Sequence, residues 1–246
     1  HRTLTFELNQ PKGTTTEYYL SVKGSSSLQI PLRVYTDQAF AKISNDENMI
    51  LGAYYGALII MILFNLLLGF SLKDRAYFHY VGYLGGYLSV QMALNGNGHR
   101  FIFPNEPVLS NILLPASLFC AMGMATSFSK GFLDTETYAP RFDFVYKYLI
   151  RFAAVCFVLT FLAPYAIMIK LGVVSTLVVC LLFIVSGTMV FKRGYQPAKT
   201  YLIAWSTLIA GVVIYLFKTT GLLPSNLFTN YSILVGSAVE VTLLSL

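Results

Sequence analysis

Residues 63–84 read LFNLLLGFSLKDRAYFHYVGYL: an apolar run stops, Lys73, Asp74 and Arg75 follow in consecutive positions, and aromatic and apolar residues resume at once. Charge confined to so narrow a gap is the pattern of two membrane helices meeting water at a tight turn. Composition agrees. Of 246 residues, 56% are hydrophobic and 11% charged, and the mean hydropathy is +0.63, which is more apolar surface than a soluble core of this size can cover.

Spanning a hydrocarbon layer roughly 30 Å thick takes about 20 predominantly apolar residues in a helix. Working outward from the KDR gap, stretches without Asp, Glu, Lys or Arg cover residues 48–72, 76–99, 107–129, 152–169, 171–191, 200–217 and 219–239, the last continuing past Glu240. They predict an all-α polytopic membrane protein with a seven-transmembrane helix bundle over residues 48–246. Alternate connections hold Lys73 and Arg75, then Lys130, Arg141, Lys147 and Arg151, then Lys192, Arg193 and Lys199, against Arg100, Lys170 and Lys218 on the other side. Nine against three places the KDR turn in the cytoplasm, the N-terminus outside and the C-terminus inside. The net charge of +6 therefore reflects topology, and a nucleic-acid partner is excluded because the cations flank apolar runs instead of forming a stripe.

Residues 1–47 are rich in Thr, Ser and charge and alternate with period two. Leu4, Phe6 and Leu8 share one face, as do Tyr18, Leu20 and Val22, and Leu28, Ile30, Leu32 and Val34; Pro31 suits an edge or bulge. The segment reads as the β-rich extracytoplasmic tail of a larger domain whose front is missing, and truncation is expected at the back as well. Cys120, Cys156 and Cys180 fall in apolar runs and read as small buried hydrophobes. No metal-ligand spacing, nucleophile–base pattern or cofactor fingerprint is present in the sequence, so no cofactor and no turnover by this chain are expected. The spacings Gly52–Gly56 and Gly82–Gly86 permit close helix approach, read first as packing within the bundle and second as a homodimer contact.

The stretch FNLLLGFSLKDRAYFHYVGYL (64–84) resembles the first hairpin of the bacterial seven-transmembrane receptors with diverse intracellular signalling modules. FSKGFLDTETYAPRFD (128–143) and KRGYQPAKTYLIAW (192–205) are similar to that family's cytoplasmic loops. YYLSVKGSSSLQIPLRVYTDQAF (18–40) resembles the closing strands of the periplasmic jelly-roll domain that commonly precedes the bundle. The resemblance implies a bacterial inner-membrane sensor that relays a periplasmic, carbohydrate-like ligand signal to a cytoplasmic effector: a histidine kinase, a cyclic-di-GMP enzyme or a phosphatase. No such effector lies in this sequence. A small-solute transporter or channel is the alternative, with Pro115 in the third run its main supporting feature.

Intramembrane polar groups are the natural signal carriers, because a charge or amide in hydrocarbon needs a partner. Asn65, His79, Gln91 and Glu240 qualify. Counting inward from Lys73 and from a boundary near Leu246 puts Asn65 and Glu240 at similar depth, so Asn65, Glu240 and Lys73 form the expected coupling site. Asp134, Arg141 and Asp143 are expected to contact the output module, with Lys147 and Arg151 snorkelling toward the same side. His99, Arg100 and Glu106 in the outer connection 95–107 are expected to meet the external domain.

Overall fold

A computed structural model describes residues 5, 6, 8, 13–21, 32–98 and 106–245. Eight helices make up its regular structure: α1 (Asp37–Leu72), α2 (Arg75–Leu94), α3 (Pro107–Phe132), α4 (Thr135–Tyr138), α5 (Pro140–Leu159), α6 (Tyr165–Lys192), α7 (Pro197–Thr219) and α8 (Leu227–Ser245). Helices within Asp37–Leu72, Asn111–Phe132, Tyr165–Lys192 and Pro197–Lys218 are long and apolar enough to cross a membrane.

The turn that decided the fold is as tight as the sequence implies. Lys73 caps α1 in the left-handed region (φ 53°), and the Asp74 side chain accepts from the Ala76 N–H at 2.9 Å to start α2. At the other end α1 corrects the expectation. It starts at Asp37, where Thr36 accepts from the Ala39 N–H at 3.3 Å, so residues 37–47 are helix and not the end of a β-segment. The Thr-Asp pair is an N-cap followed by an acidic first turn, a local signal stronger than the period-two pattern upstream. No strand occurs among the described residues ahead of Asp37, and the remaining positions of the three expected strands lie outside them.

Packing runs from α1 to α2, α2 to α3, α3 to α6, α6 to α7 and α7 to α8, and α8 returns to α1. This closes a ring of six helices, with α5 set against α3 and touching α6. The ring's interior is aromatic: Tyr80 lies 4.6 Å from Phe128 and Phe183 lies 4.5 Å from Trp205 between ring centroids. Small residues allow the closest approaches. A Cβ on Gly86 would meet the Ala121 backbone nitrogen at 2.8 Å, so the Gly82–Gly86 spacing packs α2 on α3 as expected. Among the described residues nothing lies within 4 Å of a Cβ on Gly52 or Gly56, so that spacing serves no packing among them. α3 continues unbroken through Pro115.

Candidate functional site

Helices α1, α2 and α8 each turn a polar stripe toward one another inside the apolar interior. On α1 the stripe is Tyr54 and Asn65, with Leu58 and Met61 between; on α2 it is Tyr80, Tyr83, Tyr87 and Gln91; on α8 it is Ser237, Glu240 and Ser245. Spacings of three and four residues put the α1 and α2 sets each on a single helix face, and on α8 Ser237 and Ser245 lie eight residues, about two turns, apart with Glu240 between them. Asn65, Ser237 and Glu240 are fully buried and Gln91 nearly so.

The contacts form a seam that runs along the three helices. At one end the Asn65 amide donates to the Ser245 hydroxyl at 2.9 Å and to the backbone oxygen of Met61 at 2.9 Å. Next, the Tyr80 hydroxyl donates to the backbone oxygen of Val241 at 3.3 Å, and the Tyr83 hydroxyl donates to Glu240 Oε2 at 3.3 Å. Further along, Tyr54 and Ser237 share a hydrogen bond of 2.6 Å, and Gln91 donates to the Tyr87 hydroxyl at 2.5 Å. At the far end Asn95 and Asn97 donate to the Tyr55 hydroxyl at 3.2 and 3.3 Å, docking the loop after α2 onto α1.

Satisfaction is incomplete in this interior. Glu240 Oε1, Asn65 Oδ1 and the Trp205 indole nitrogen are buried without a hydrogen-bond partner. Trp205 belongs to the same layer as Glu240. A Cβ on Gly211 would meet Ser232 O, and one on Gly236 would meet Thr207 O and the Leu208 Cα, an antiparallel register that carries Glu240 to the level of Ala204. The Tyr83 ring lies 5.7 Å from the Trp205 ring and its hydroxyl reaches Glu240. An acceptor and a donor, each unmatched, therefore flank one tyrosine. Burying a polar group without a partner costs about 1–3 kcal/mol, so such a layer stays in place only where packing enforces it.

The expected coupling site is partly reassembled. Asn65 does join α1 to α8, but its partner is Ser245; Glu240 lies five residues earlier, about 7.5 Å farther from the KDR turn along the axis, and pairs with Tyr83. The depth match failed because Asn65, eight residues from Lys73, lies level with Ser245 and not with Glu240. Lys73 is exposed at the end of α1, eight residues or about 12 Å beyond Asn65, and takes no part in the seam. The tyrosines were missed, although their spacing on α2 was visible; tyrosine at an apolar helix position reads equally as ring packing.

At the basic end, Asp143 is buried and accepts from Lys147 at 2.8 Å, Lys130 at 3.0 Å and the Thr135 hydroxyl at 3.2 Å. It joins the end of α3 to the start of α5, so the carboxylate expected to contact the output module is engaged within the chain. Burial raises its carboxyl's pKa, but the hydrogen bonds and charges of Lys147 and Lys130 outweigh that and hold it below the usual carboxylate range. Asp134 is half-buried with φ 42° at the start of α4, and Arg141 is exposed. Lys147 is thus engaged, and Arg151 lies over the Tyr148 ring at 5.6 Å. In the outer connection Glu106 is exposed at the start of α3, while His99 and Arg100 lie outside the described residues.

Residues 47–246 match the model of a family described as 7TM diverse intracellular signalling, and that match decides the identification. The chain belongs to this family. As a 7TM signalling protein it is a multi-pass membrane protein, in keeping with the long apolar helices that lie within the matched residues. The segment ahead of Glu47 lies outside the match. No curated protein and no solved structure matches the chain.

Proposed function

We propose that the chain is the membrane part of a bacterial inner-membrane receptor whose seven long helices all cross the bilayer. In this reading the N-terminal side faces the periplasm and senses a small, carbohydrate-like ligand. The KDR turn and the end of α8 face the cytoplasm, where α8 leads into a kinase or cyclic-di-GMP output. The carrying observation is the seam. It ties α1, which continues from the external segment, to α8 through Asn65–Ser245 and Tyr54–Ser237, and it contains an incompletely satisfied Glu240. Buried groups left unmatched make this packing less stable than a fully satisfied one, so a second packing that matches them would be a state that a ligand can bias.

Two measurements test it. Reporter fusions after Lys73, Arg141 and Arg193 report cytoplasm, and fusions near Asn97 and Pro224 report the periplasm; reversal at two or more sites refutes the orientation. In the full-length gene product, Glu240→Gln shifts basal output while the protein still inserts and folds. Output and ligand response both at wild-type levels in that variant would reduce the seam to a static clamp.

A further inference from the structure

Helices α5 and α6 both pack on α3, yet they meet each other sparsely; a cleft between the first turn of α5 and the end of α6 adjoins an open groove along the last turns of α6, the two sharing Met189 and Arg193 and together forming one crevice. Its wall is apolar along Ile184, Val185 and Met189, and its mouth is lined by Arg141, Lys192 and Arg193. From Val185 to Lys192 the helix rises about 10 Å, so the wall runs from the charged end well into the apolar span.

The three cations are unbalanced. Lys130 and Lys147, close by in sequence, are both taken by Asp143, but no carboxylate pairs with Arg141, Lys192 or Arg193 among the described residues. Arg193 is fixed at the rim by its hydrogen bond to the backbone oxygen of Tyr138. Arg141 sits in the first turn of α5, whose N-cap, Ala139, offers no side-chain hydrogen bond, so the positive end of that helix dipole adds to the same field. An apolar wall ending in uncompensated positive charge is complementary to a molecule with one anionic head and a hydrocarbon tail. In a bilayer-embedded chain that molecule is at hand.

We propose that this crevice binds an anionic phospholipid, with its phosphate among Arg141, Lys192 and Arg193 and one acyl chain against Ile184, Val185 and Met189. The inference rests on the chain's being embedded in a bilayer and on neither the orientation nor the receptor reading of the preceding section. A failed topology or output experiment therefore leaves it standing, and its own failure leaves them.

The test is native mass spectrometry of the purified chain, equilibrated with equal amounts of phosphatidylglycerol and phosphatidylcholine of identical acyl composition. Wild type retains phosphatidylglycerol in preference. Removing two cations near an anionic headgroup in R141Q/K192Q lowers that preference by about thirtyfold. Both side chains are exposed, and unchanged thermal unfolding in phosphatidylcholine shows that the fold persists. The control K170Q/K218Q, at the other ends of α6 and α7, keeps the wild-type preference. Met189→Trp fills the wall without touching the charges and releases the retained lipid. The proposal is overturned by equal retention of the two lipids by wild type, by an R141Q/K192Q variant that keeps its preference, by an equal loss in the control, or by undiminished retention in Met189→Trp.

Discussion

The Tyr83 hydroxyl of α2 donates across 3.3 Å to Glu240 of α8, while the other oxygen of that carboxyl has no partner. Tyr83→Phe removes the donor and leaves both carboxyl oxygens unsatisfied in an apolar layer. We expect it to destabilise the chain by about 1–3 kcal/mol, read from the unfolding midpoint in detergent. Combining it with Glu240→Leu should cost less than the two single changes summed, since no buried carboxyl then remains to satisfy. Additive losses would mean that the hydrogen bond contributes nothing.

Asp143 makes stability depend on acid. Because its folded pKa is lowered, its contribution is fully present above the unfolded value of about 3.9 and is lost as pH falls through the lowered folded value. Thermal midpoints taken from pH 6 down to pH 2 should fall for wild type at the acidic end. Asp143→Asn, which starts about 2 kcal/mol less stable because Lys130 and Lys147 lose their partner, should lack that component of the fall.

Glycines between α7 and α8 are there for contact. A Cβ on Gly211 would come within 2.5 Å of the Ser232 backbone oxygen, which cannot yield without separating the helices. Gly211→Ala should therefore destabilise by about 1–3 kcal/mol. Gly56→Ala, which meets open space, should leave unfolding unchanged or slightly stabilise the helix.

Lys73 carries a side chain at φ 53°, a conformation that favours glycine. Lys73→Gly should raise the unfolding free energy by about 0.5–1 kcal/mol by relieving that strain at the α1 cap. An unchanged or lower midpoint would show that the lysine head holds the turn by a contact of its own.

The turn between α1 and α2 was legible in the sequence because charge is excluded from hydrocarbon so strongly that Lys73, Asp74 and Arg75 alone locate it; the expected span 152–169, by contrast, straddles the end of α5 and the start of α6, and Lys170 lies within α6. The start of α1 was not. Asp37, Lys42, Asp46 and Glu47 lie on helix outside the apolar run, where hydropathy carries no signal and only the Thr36 cap marks the boundary. At the seam, polarity picked out Asn65, Gln91 and Glu240, yet their partners depend on helix register, set by contacts such as Gly236 on Thr207 that sequence spacing does not encode. The Lys130 partner of Asp143 was not legible for a related reason: helix packing, and not sequence spacing, brings the end of α3 to it.

Helix α1 runs 36 residues without a break, about 54 Å, so it is longer than the hydrocarbon layer and carries its first turns beyond it. A rod without a joint transmits torque as well as thrust. Each residue advances the helix by about 100°, so a twist of that size imposed at Asp37 would carry Asn65 off Ser245 and Tyr54 off Ser237 together. Two contacts 11 residues apart on one shaft would then break in concert.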